Sequence, residues 1–188
     1  MKLSEHKELK QEILALPSKE KDKLLLRLVG KDKVLTERLH FVLLENEEDL
    51  KQRVSSLKEN IVTVMQGLKT LKNLNAKEVL TQLRKLAKQL NHHYKVTKAG
   101  FEEVELRLFL VNHTELGFKT GLFSSYRNHE QVLANYFVKY VLMTIRKFKG
   151  LHEDLQYDLR DEMNKILTKI YQGNMATVAK QLELPEQV

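Results

Sequence analysis

Two carboxylate pairs at helical spacing, Glu102-x-x-Glu105 and Asp158-x-x-Asp161, are the residues of this chain that come nearest to a metal-binding set. Side chains three apart share one face of a helix, and hard oxygen ligands converging from two helices can bind magnesium and bridge it to phosphate. Glu153, Asp154 and Glu162 flank the second pair. The same spacing is common on any charged helix, and acids in a first turn are favoured by the helix dipole. A solvated acidic face is therefore the better reading of these residues, and neither a metal nor a cofactor is expected.

The remaining catalytic groupings are weaker. None of His6, His40, His92, His93, His113, His129 and His152 stands in H-E-x-x-H or another ligand spacing. His92 and His93 fall near a helix C-terminus, where a cation meets the dipole favourably. Ser124, Ser125 and His129, with Tyr126 and Arg127, put a hydroxyl near a base, yet no nucleophile elbow or oxyanion hole accompanies them. Gly117 and Gly121 do not form a phosphate loop, because G-x-x-x-x-G-K-[ST] is absent. With no cysteine, thiolate ligands, a thiol nucleophile and disulfides are excluded. No catalytic residue is assigned, and the chain reads as a binding protein rather than an enzyme.

Charge is the stronger signal. Between Lys51 and Lys98 eleven Lys and Arg stand against two acids, Glu59 and Glu78, a local surplus that exceeds the +7 of the whole chain. Lys77, Arg84, Lys88 and Lys95 are spaced by seven, four and seven, which places them on one helical stripe away from Val79, Leu83, Leu86 and Leu90. Lys85 flanks the stripe, and Lys69 and Lys72 precede it. Such a stripe suits a phosphate backbone or an acidic protein; a solvated lysine-rich face is the plainer alternative. Tyr94 is the one aromatic of that segment, so stacking on unpaired bases lacks a platform within it. From Leu151 to Val188 the balance reverses, with seven acids against four bases. This acidic stretch either pairs with a basic region or repels nucleic acid from its side of the molecule.

The elements that must carry these residues read as helices. Only Pro17 and Pro185 interrupt a chain rich in Leu, Lys, Glu and Gln, and period-two alternation is hard to find. Caps predict helices over 4–16, from a Ser18 cap to Gly30, and from an Asp32 cap to Glu45. A fourth helix over 47–72 carries Leu50, Val54, Leu57, Ile61, Val64, Leu68 and Leu71 as a heptad seam. Asn75 caps a fifth, and the short connection predicts an antiparallel hairpin with the fourth. A sixth is expected over 98–116, a loop over 117–127, a seventh, aromatic helix to Lys149, and an eighth over 151–171. The fold class is all-α: a bundle or irregular solenoid of about eight helices in antiparallel pairs, forming one domain over 1–188. Its parts are short N-terminal helices (1–46), a basic hairpin (47–96), C-terminal helices (97–174) and a frayed tail (175–188).

Three stretches, ALPSKEKDKLLLRLVGKDKVLTERLHFVLLE, TKAGFEEVELRLFLV and LHEDLQYDLRDEM, together resemble an uncharacterised all-helical family common in Bacteroidetes-type bacteria, over most of the chain. The resemblance implies an all-helical fold and no established activity. Members of that family sometimes carry an automatic label of deoxyuridine triphosphate nucleotidohydrolase. All-helical enzymes of that chemistry hold magnesium with E-x-x-E on one helix and E-x-x-D on the next, and E-x-x-D occurs nowhere here. No magnesium-dependent hydrolysis of deoxyuridine triphosphate is expected.

The first twenty residues lack the apolar run of a secretory signal, and no later stretch approaches a membrane span, so a cytoplasmic protein with no membrane partner is expected. Three functions stand open at this stage. The first is a non-catalytic helical module whose basic face meets RNA, DNA or an acidic protein. The second is a scaffold that forms homo-oligomers through helix faces. The third is a metal-dependent nucleotide hydrolase.

Overall fold

A computed structural model describes residues 5–71, 75–114 and 124–188, with side chains from 129 onward in the last stretch. Among the described residues 83% are helical, in nine helices with no strand, as the all-α reading expects. None of these helices is long and apolar enough to cross a membrane. The contacts divide the chain into two compact units, Met1–Glu45 and Asn46–Val188.

The first unit holds α1 (Lys7–Ala15), α2 (Ser18–Val29) and α3 (Lys33–Leu44). Pro17, not Ser18, occupies the N-cap of α2, and Ser18 is the first helical residue. Asp32 caps α3 as expected, accepting from the Leu35 backbone N–H at 3.1 Å. The Thr36 hydroxyl ties α3 back to the end of α2 by donating to the Val29 carbonyl at 2.8 Å. None of these three helices has a buried residue, and Leu25, Leu26, Leu28, Val42, Leu43 and Leu44 are exposed.

The second unit is built around one helix. Its elements are α4 (Glu47–Lys69), α5 (Ala76–Thr97), α6 (Gly100–His113), α7 (Ser124–Phe148), α8 (Glu153–Gln172) and α9 (Ala176–Gln181). α6 packs against α4, α5, α7 and α8. Most of its stretch VELRLFLV is apolar, leaving the helix only a narrow half-exposed strip at Glu102, Glu105 and Phe109, and a helix apolar over most of its circumference is stable only inside a core. Val104, Leu106, Leu108, Leu110 and Val111 are accordingly buried.

The surrounding helices bring one face each. On α4 a capping box at Asn46, whose side chain accepts from the N–H groups of Glu48 and Asp49, fixes the start. Val54, Ile61, Met65 and Leu68 are buried, while Leu50, Leu57 and Val64 of the heptad seam are partly covered and Leu71 is exposed. Asn75 caps α5 by accepting from Glu78 N–H at 3.0 Å. The hydrogen bond from Asn60 to Gln89 runs between helices of opposite direction, as the expected hairpin requires. α5 and α7 run parallel, because Arg84 meets Tyr136 and, ten residues on, Tyr94 meets Lys147.

Two boundaries differ from expectation. α6 does not begin at Lys98: that residue closes α5 in the left-handed region, at φ 57°, and its N–H caps the Tyr94 carbonyl. The tail expected to fray carries α9, with Val178, Ala179 and Leu184 buried; the Val188 N–H donates to Asn164 and the Tyr171 hydroxyl to the Leu184 carbonyl. Short apolar clusters such as Val178-Ala179 are too brief to show a period, which is why the pattern misses them. The loop expected over 117–127 falls mostly outside the described residues, and from Ser124 the chain is already α7.

Candidate functional site

Position on α5 decides which side chains are available to a partner. Val79, Leu83, Leu86 and Leu90 are buried, as their spacing predicts, so the opposite side of the helix must face outward. Lys77, Arg84, Lys85, Lys88 and Lys95 are all exposed there. Lys77, Arg84, Lys88 and Lys95 fall within about 40° of one another around the axis and extend over about 27 Å along it. Lys69 is exposed at the end of α4, and Lys72 lies outside the described residues.

The stripe continues onto α7, which sequence reasoning did not associate with it. The Arg84 guanidinium lies over the Tyr136 ring, 5.2 Å from its centroid. At the other end, Lys98 and Lys147 both approach the Tyr94 ring, at 5.3 and 4.6 Å. Each ring is half-buried. The expected lack of a stacking platform concerns the 51–98 segment alone; Tyr136, contributed by α7, is a second aromatic beside Arg84. The signal that could have found it is the row Tyr136, Tyr140, Met143 and Lys147, which repeats at helical spacing on one side of α7.

Beneath this face lies a buried polar cluster that the sequence analysis also missed. Glu103 and Arg107 of α6 are both buried, with one Glu103 oxygen accepting from Arg107 Nε at 3.2 Å and Nη2 at 2.8 Å. Lys147 Nζ stands 2.9 Å from the other Glu103 oxygen. Arg107 Nη2 also donates to Asn91 of α5 at 2.5 Å, and its guanidinium lies 5.2 Å from the Tyr140 ring centroid. Among the described residues, Arg107 Nη1, the Tyr140 hydroxyl and His93 Nε2 are buried with no hydrogen-bond partner. Burial pushes the Tyr140 hydroxyl well above its ordinary pKa, against the pull of Arg107. It also pushes His93 below 6.5, helped by Arg53 and His92 and opposed by Glu103. The cluster ties α5, α6 and α7 together by charge.

The carboxylates considered for a metal do not come together. Glu105 is held by Lys58 of α4 at 2.8 Å, and Glu102 lines the same groove, of about 390 Å³, with Lys51 and Phe101. Asp158 and Asp161 are exposed on α8, and neighbouring Glu162 accepts from Asn112 at 2.6 Å. Among the described residues no three Asp, Glu or His side chains are grouped so as to hold an ion. His152, not assigned a role from sequence, sits at the N-cap of α8 and accepts from Asp154 N–H. Gly117 and Gly121 lie outside the described residues.

Comparison of the chain with protein-family models, with curated proteins and with solved structures finds no match.

Proposed function

We propose that this protein is a non-catalytic helical binding module whose basic face, centred on α5, holds the phosphate backbone of nucleic acid. The observation that carries this reading is the outward placement of Lys77, Arg84, Lys88 and Lys95 on one side of a helix whose other side is committed to the core. Phosphates are the partners such a row suits, because each neutralised phosphate releases a condensed counterion and the gain adds along the row. No motif for reading base edges accompanies the cations, so binding is weakly dependent on sequence. Arg84 is better suited than a lysine to grip a phosphate through two N–H donors at once.

The test is a fluorescence anisotropy titration of end-labelled RNA and DNA against the purified protein across several salt concentrations. Binding that weakens steeply as salt rises is the expected result. No binding at low salt reduces the stripe to a solvated surface and sinks the proposal.

A further inference from the structure

We infer that the basic face prefers single-stranded over duplex nucleic acid, because the rings of Tyr94 and Tyr136 take unpaired bases. The inference rests on the reading of the preceding subsection and deepens it. A row of cations alone does not distinguish a single strand from a duplex, since both present phosphates. Aromatic rings do, because only an unpaired base offers a free π-face.

Three features of the α5–α7 face support this. First, each ring is half-buried and anchored by its helix. Second, cations lie against both rings: Arg84 at Tyr136, and Lys98 and Lys147 at Tyr94, Lys147 being also paired with the buried Glu103. The Lys98 ammonium, on a flexible stem, can leave the Tyr94 ring for a phosphate when a base arrives, while Lys147 stays paired with Glu103, so stacking and charge pairing replace the Lys98 contact together. The Arg84 plane can itself continue a stack. Third, α5 and α7 are parallel, which sets the two rings about 15 Å apart along the helices. The cations of the stripe, Arg84, Lys88 and Lys95, span the same interval.

The experiment compares an end-labelled single-stranded oligo-dT with a duplex of equal length, by anisotropy, at two salt concentrations. Wild type is set against Tyr94→Leu, Tyr136→Leu, Tyr94→Phe and Tyr136→Phe, each checked for its helical circular dichroism. The single strand is expected to bind at least tenfold tighter than the duplex, each Leu variant to lose about tenfold on the single strand with little change in salt slope, and each Phe variant to retain the preference. Equal or tighter binding of the duplex overturns the inference while leaving the basic-face reading intact. So does a Leu variant with unchanged single-strand affinity, or a Phe variant that loses the preference as fully as its Leu counterpart. Absence of binding to either probe overturns both.

Discussion

Glu103 and Arg107 stand one turn apart on the central helix, joined at 2.8 Å with side chains only 3% and 1% exposed. Desolvating two charges costs several kcal/mol each, and the cost is recovered only when hydrogen bonds and further charges complete the set. Here Asn91 and Lys147 supply them from α5 and α7.

Breaking the pair is therefore expected to be expensive and replacing it cheap. Glu103→Gln leaves Arg107 buried without its counter-charge and should cost about 3–5 kcal/mol of stability, whereas the double change Glu103→Met with Arg107→Met should restore most of that loss. Urea denaturation of the two variants measures the difference. A double variant as unstable as the single one contradicts this account.

His93 makes the fold sensitive to acid. The folded state lowers its pKa below 6.5, through burial and then Arg53, so near that value the unfolded chain binds more protons than the folded one. Stability then rises with pH, and the contribution is lost as pH falls from above 6.5 through the folded-state pKa. Glu103 opposes the shift and His92 adds to it. Denaturation midpoints at pH 7.5 and pH 5 should fall less steeply for His93→Gln than for wild type; equal falls would remove His93 from the explanation.

On the basic face, replacing Arg84 and Lys88 together by Gln should flatten the dependence of log K on log salt by about two phosphate contacts' worth. Far-ultraviolet circular dichroism should be unchanged, because both side chains are exposed. Identical slopes for the double variant and wild type would place any nucleic-acid contact elsewhere on the molecule.

Lys98 occupies a backbone conformation, φ 57°, that costs a side chain about 1 kcal/mol and glycine almost nothing. Lys98→Gly should raise stability by about 0.5 kcal/mol after allowing for the greater freedom of glycine in the unfolded chain. Thermal melting reads this directly, and a lower melting temperature would mean that the Lys98 contact with Tyr94 outweighs the backbone cost.

What the amino-acid pattern revealed follows from which residues carry a face. α5 was legible because Val79, Leu83, Leu86 and Leu90 leave the rest of the helix polar, and its basic stripe came with it. Asn75 and Asp32 announced their helices by capping chemistry that acts within a few residues. α6 was not recognised as the centre, since a helix buried over most of its circumference has little moment to read, and nothing in the local pattern sets Glu103 and Arg107 apart. The meeting of Arg84 with Tyr136 joins residues 52 positions apart. Local periodicity holds no information about such a pair; only the parallel packing of α5 and α7 creates it.

The placement of α6 also bears on how the chain is made. Leu106, Leu108, Leu110 and Val111 leave the ribosome before α7 and α8, the helices that complete their cover. At about 5–20 residues per second, the roughly sixty residues that follow α6 take several seconds to synthesise, and during that interval this segment has only α4 and α5 to shield it. The nascent chain is thus most prone to aggregation in the middle of its own translation, at the helix that ends up deepest in the finished protein.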